Sequence, residues 1–80
     1  MELYKRYVDV VTLQRKSGTM TPLFLVWDDG RKYAIDKVVS VERRASQVGG
    51  CGIRYACMIC GQRRNLFYER NRWFIESTQP

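Results

Sequence analysis

The chain has 80 residues, of which 45% are hydrophobic and 28% charged, and its formal net charge is +6. This length predicts one domain, residues 1–80, and the composition is too apolar for intrinsic disorder. The longest apolar run covers residues 23–27, far fewer than the ~18 that span a bilayer, and no apolar leader is recognisable. Three cysteines, an odd number, fit a reducing compartment. We therefore expect a cytoplasmic protein with no membrane partner.

The first half of the chain alternates β-forming segments with turn residues. A strand is expected from Leu3 to Arg15, with a bulge near Asp9 where the phase of its apolar residues changes. Residues 16–19, Lys-Ser-Gly-Thr, read as a turn, and residues 23–28 as the next strand. Residues 38–44 alternate as a strand but also have apolar residues at helical spacing. Their β-branched content favours the strand.

A hairpin is predicted at Asp29-Gly30, because a type I′ turn needs positive φ at both central residues. This placement pairs Trp27 with Lys32, which predicts a cation–π contact between them. The residues that share one face are then Phe24, Val26, Tyr33 and Ile35. Trp27 is interpreted either as a core residue or as a contact for a ligand.

The apolar residues of the second half stay in phase through two successive hairpins. Gly61-Gln62 is compatible with a type II′ turn that pairs Tyr55 with Tyr68, and the next turn is centred on Arg70-Asn71. Any even change in loop length leaves the faces unchanged. The predicted inward face consists of Tyr55, Cys57, Ile59, Leu66, Tyr68, Trp73 and Ile75.

The opposite face of these strands has aromatic side chains among arginines. Phe67 lies opposite Phe74 in this register, and the residues around them are Met58, Arg54, Arg63 and Arg72. Three interpretations compete. The rings stack nucleic-acid bases while the arginines hold phosphates; or they pack against a protein partner or a second copy; or the N-terminal strand or the loop at residues 45–52 covers them as a second core layer.

Three segments together resemble a known group of proteins. They are VWDDGRKYAID, GGCGIRYACMICG and LFYERNRWFIE. The chain resembles, over roughly residues 22–76, a family of small uncharacterised bacterial all-β proteins in which a W-x-DGR-x-Y hairpin precedes a GIRY strand and an RWF strand. The resemblance implies an all-β fold. It implies no activity, because the family has none established and these motifs are strand and turn signatures.

The cysteines have the spacing of a zinc knuckle. Cys57 and Cys60 form a CxxCG motif, and Cys51 lies six residues before the first of them. A structural zinc site takes four ligands, yet the chain has no histidine and no second CxxC pair. Because the phase sets Cys57 inward and Cys60 outward, we expect strand residues and no metal. The alternatives are zinc shared between chains or completed by a carboxylate, and a redox pair.

Catalytic motifs are not found in the sequence. Without histidine the commonest general base is missing, and neither a phosphate-binding glycine loop nor a nucleophile elbow is present. We expect no enzyme activity, no cofactor and no small-molecule substrate.

The sequence thus predicts an all-β fold, a small curved antiparallel sheet or barrel of five to seven strands that is SH3-like or OB-like. The expected function is that of a small non-catalytic binding module. Nucleic acid is the first candidate ligand because a basic charge and an aromatic face coincide. A protein-interaction or homodimerisation module is the alternative, and a zinc-binding domain is third.

Overall fold

The computed structural model describes residues 3–46 and 51–78, and every element in them is a strand. The strands are β1 (Tyr4–Gln14), β2 (Met20–Val26), β3 (Lys32–Ala45), β4 (Cys51–Ile59), β5 (Gln62–Glu69) and β6 (Arg72–Ser77). Each pairs antiparallel with the next in sequence, and β6 pairs with β1 to close a barrel. The predicted fold class is confirmed, and residues 38–44 belong to a strand. No helix in the described ranges is long and apolar enough to cross a membrane.

Two long strands change partners and divide the barrel into two sheets. β1 pairs with β6 over Tyr4–Val8 and with β2 over Asp9–Gln14. β3 pairs with β2 over residues 32–34 and with β4 from Ile35 onward. We call the sheet of β1, β2 and the start of β3 the three-stranded sheet. The five-stranded sheet comprises the rest of β3, β4, β5, β6 and the start of β1.

Bulges allow this change of partners. The register of β3 against β4 shifts at Asp36 and again at Val39, and each extra residue increases the local twist of β3. The predicted bulge near Asp9 is wrong, because β1 exchanges β6 for β2 there without an extra residue. The register shift falls instead between Val11 and Thr12, where β2 has Leu23 as its extra residue.

The turn between β2 and β3 is one residue longer than predicted. The Trp27 N–H donates to the Arg31 carbonyl at 2.8 Å, which closes a three-residue loop with Gly30 at a φ of 86°. Leu25 consequently pairs with Tyr33. Because a one-residue shift reverses every side chain of a strand, the predicted face is wrong: Leu25 and Trp27 join Tyr33 inside, and the Phe24 side chain is outside.

The inner core matches the predicted inward face of the last three strands. The predicted residues in the buried cluster are Tyr55, Cys57, Ile59, Leu66, Trp73 and Ile75, and Tyr68 packs against the edge of the cluster. Val8 of β1 and Leu25 of β2 complete it. The alternation is therefore confirmed for all three strands.

Both C-terminal turns have two central residues with positive φ, as type I′ turns require. The first is Cys60–Gly61, at 52° and 75°, and not the predicted Gly61-Gln62. Tyr55 then pairs with Leu66 and not with Tyr68, a shift of two residues that leaves the faces unchanged. The second, Arg70–Asn71 at 51° and 64°, lies where it was predicted.

Candidate functional site

A row of side chains crosses the outer face of the five-stranded sheet. In strand order from β3 to β1, its members are Glu42, Arg54, Phe67, Phe74 and Tyr7. The rings of Phe67 and Phe74 are stacked, with centroids 5.0 Å apart and planes 6° apart. Tyr7 meets Phe74 edge-on at 5.9 Å. These three residues form the outer aromatic layer.

The two phenylalanines of this layer are covered. Phe67 is 2% exposed and Phe74 is 0% exposed. The Lys5 ammonium lies 4.5 Å above the Phe74 ring, and it forms an ion pair with Glu69 at 3.4 Å. The interaction of Lys5 with the Tyr7 side chain and, after it, the bond to Glu69 raise the pKa of Lys5. The phenylalanines are thus a second buried layer, and their faces are not open to a stacking base.

The end of β3 contributes to this cover. The Ser46 hydroxyl donates to Glu76 Oε2 at 3.0 Å, and the Asn65 amide donates to Glu76 Oε1 at 3.4 Å. Glu76 follows Phe74 by two positions and lies opposite Lys5 on the outer face. Ser46, the residue that follows β3, is therefore held at the outer face of the five-stranded sheet.

The predicted arginines around the aromatic layer have different partners. Arg54 donates to Glu42, which also pairs with Arg44. The Arg72 guanidinium lies 3.7 Å from the ring centroid of the half-exposed Tyr7. Cation–π contact thus holds Arg72, and an ion pair holds Arg54.

Met58 and Arg63 meet a residue that the sequence did not indicate. The register places Lys37 opposite Met58 and Met58 opposite Arg63. Neither Lys37 nor Arg63 has an ion pair in the part of the chain that the structure describes. Lys37 was missed because the bulge at Asp36 sets its face.

Trp27 and Lys32, predicted to stack, are separated. Trp27 packs against the inner core, and the Arg6 guanidinium lies 4.4 Å above its ring while donating to Asp28 at 2.7 Å. Lys32 pairs with Val26 and is exposed. The predicted contact is wrong because of the one-residue shift in this hairpin. The cation above Trp27 is Arg6.

The outer face of the three-stranded sheet has an apolar surface that sequence reasoning missed. Val11 pairs with Phe24, and Phe24 with Ala34, while Leu13 lies further along β1 on the same side. All four are exposed, Phe24 at 41%. We call Val11, Leu13, Phe24 and Ala34 the apolar patch. The shared parity of Val11 and Leu13 is a sequence signal for this patch, but the predicted two-residue turn places Phe24 on the same face as Tyr33 and so hides the patch.

The cysteines are in different environments. Cys57 is buried in the core, its thiol donates to the Tyr55 carbonyl at 3.3 Å, and burial raises the pKa of Cys57 to about 11. Cys60 is exposed in the turn after β4. This inward and outward placement was predicted; the Cys51 side chain lies outside the described residues. Within the described ranges no three His, Cys, Asp or Glu side chains gather as metal ligands do.

No family model, curated protein or solved structure matches this chain. The resemblance to a bacterial all-β family therefore stays a prediction.

The environments of the two cysteines predict different reactivities. In a Cys51→Ser background at pH 8, a maleimide should label Cys60 directly and Cys57 only on unfolding. The free energy of unfolding should fall as pH rises from about 9 to about 11, because the unfolded thiol ionises near 9.0 and the folded one near 11. Cys57→Ala should remove part of this fall. Equal labelling rates at both cysteines in native protein would show that Cys57 is not buried.

Proposed function

We propose that this protein is a non-catalytic protein-interaction module, and that its apolar patch contacts an acidic protein partner. The observation that supports this is the distribution of exposed apolar side chains. In residues 3–46 and 51–78, the large hydrophobic residues that stay exposed all lie on the first three strands: Tyr7, Val11, Leu13, Leu23, Phe24, Val39 and Val41. Val11, Leu13 and Phe24 are neighbours on the outer face of the three-stranded sheet, and a contiguous exposed apolar surface is typical of a protein interface.

Charge around the apolar patch favours an acidic partner over a second copy. Arg15 and Lys16 lie in the turn beyond Leu13, and Lys32 lies beside Val26. None of these three cations has an ion pair with a described residue. With a net charge of +6 on each chain, two copies repel each other, whereas an acidic rim on a partner complements these cations.

A photo-crosslinking experiment tests this function. With p-benzoylphenylalanine in place of Phe24, irradiated cells that express the chain should yield one dominant covalent protein adduct. The same probe in place of Met58, on the outer face of the five-stranded sheet, should not yield it. Replacing Arg15 and Lys16 with glutamate should reduce the adduct several-fold, because electrostatic attraction to the acidic rim is lost.

Three outcomes of this experiment contradict the proposal. They are an adduct of twice the chain mass, which identifies a second copy; an adduct that nuclease removes, which identifies a nucleic acid; and equal labelling from positions 24 and 58. Circular dichroism of each variant controls for folding.

Nucleic-acid binding is the second candidate function, supported by cations and not by aromatic stacking. Lys37 and Arg63 flank Met58 on the outer face of the five-stranded sheet, without ion pairs to described residues. Cations of this kind bind phosphates without sequence preference. The buried Phe67 and Phe74 have no role in this version of the hypothesis.

Fluorescence anisotropy with a labelled oligothymidylate tests the second candidate. Affinity should fall steeply with salt, and replacing Lys37 and Arg63 with alanine should reduce the slope of log affinity against log salt by about one to two. The matched control is Arg31→Ala, because Arg31 already pairs with Asp29. This variant should change the salt slope less. Absence of salt-sensitive binding at low ionic strength would rule this function out.

A further inference from the structure

A cleft opens in the barrel wall between β2 and β3. These strands pair only from Phe24–Ala34 to Val26–Lys32, because β3 then turns away to pair with β4. Residues 20–23 of β2 and 38–45 of β3 pair with β1 and β4, respectively, along one edge only. Along the other edge, which faces the cleft, neither segment pairs with a strand of the described chain. The cleft has a volume of about 560 Å³, within the ~300–1,000 Å³ typical of binding pockets.

The walls of the cleft are mainly apolar. The side chains that form them include Met20, Val38, Val41, Ile53, Tyr55 and Tyr68, and no carboxylate is among the residues that line the cleft. Val41 is 53% exposed there, although it lies opposite the buried Tyr55. Apolar side chains from a second molecule would therefore gain burial in this cleft.

The backbone at the cleft also has hydrogen-bonding capacity. The Tyr55 hydroxyl reaches across from β4 and donates to the Met20 carbonyl of β2 at 3.4 Å. This bond satisfies one carbonyl beside the cleft. The other edge groups of residues 38–45 are donors and acceptors of the kind that an added strand pairs with.

We propose that the cleft binds an extended peptide segment as an additional strand, with alternate apolar side chains pointing into the cleft and an acidic residue at its open end. This rests on the proposed function, and it names the part of the partner that is recognised. Eight residues of β3 extend ~27 Å at ~3.4 Å each, which sets the peptide at about the same number of residues.

Charge at the open end of the cleft is the reason for the acidic residue. Because β2 and β3 are antiparallel, the turn before β2 faces the C-terminal half of β3, whereas the pairing of Phe24 with Ala34 closes the other end. Arg43 is exposed near the end of β3, and it lies opposite Ile53 of the cleft wall. At the other strand, Gly18 and Thr19 of the β1–β2 turn line the cleft, and this turn also contains Lys16. Arg43 and Lys16 have no ion pairs among the described side chains. A carboxylate at the peptide end that lies between Arg43 and Lys16 complements both, and a probe with glutamate at each end supplies it in either strand direction.

A synthetic peptide provides the test. The probe is fluorescein-labelled Glu-Glu-Val-Thr-Val-Thr-Val-Glu, titrated with the full chain by anisotropy, and its site is mapped by amide chemical shifts. We expect binding with the largest shifts in residues 20–23 and 38–45. N-methylation of alternate peptide residues should weaken binding at least tenfold, about the contribution of one hydrogen bond. Replacing the glutamates of the peptide with glutamine should also weaken binding, because the attraction to Arg43 and Lys16 is lost.

Two protein variants assign the binding to the cleft. Val41→Lys should weaken peptide binding at least tenfold, because it places a charge where apolar side chains enter, and since Val41 is half-exposed the fold should be retained. Gln62→Lys, which adds the same charge at the exposed start of β5, is the matched control and should leave peptide binding unchanged.

The inference is overturned if the peptide does not bind at about millimolar concentration, if the N-methylated peptide binds equally well, or if the shifts map outside the cleft. Its failure is distinguishable from that of the proposed function. An adduct at position 24 without peptide binding contradicts the binding of an added strand in the cleft and still supports the interaction module. Peptide binding at the cleft without any adduct contradicts the role of the apolar patch.

Discussion

Side chains of β4, β5 and β6 alternate without interruption between the inside and the outside of the barrel. Two turns maintain this register, because Cys60–Gly61 and Arg70–Asn71 each adopt positive φ at both central residues and so join the strands without an extra residue. Leu66 and Ile75 therefore meet in the inner core, while Phe67 and Phe74 stack on the outer face. The two layers depend on this one register.

The remaining strands determine which outer surface stays open. β1 pairs with β6 through its first half, and it places Tyr7 and Lys5 over the aromatic layer while Val8 enters the core. The five-stranded sheet is consequently covered on both faces around Phe67 and Phe74. The three-stranded sheet has no such cover among the described residues, and Phe24 stays exposed on it. This asymmetry is the physical basis for proposing an interaction module.

Local alternation was sufficient to predict the inward face of the last three strands, because every second residue is apolar over residues 53–59, 66–68 and 73–75 and no bulge interrupts the pattern. It failed where bulges and loop length decide the face. Asp29-Gly30 fits both a two-residue turn and the three-residue loop that forms, and the choice reverses Phe24. The sequence alone is compatible with burial of Phe67 and Phe74 and with two kinds of exposed binding face. Contacts from β1 and from Ser46, distant in sequence, decide it.

The existence of two buried layers can be tested most directly by proton NMR of the protein with a soluble paramagnetic probe. The account predicts nuclear Overhauser effects between the rings of Phe67, Phe74 and Tyr7, and little paramagnetic broadening of the two phenylalanines. Strong broadening of Phe67 and Phe74, or Overhauser effects from these rings to Val8 and Leu25 of the inner core, would contradict it.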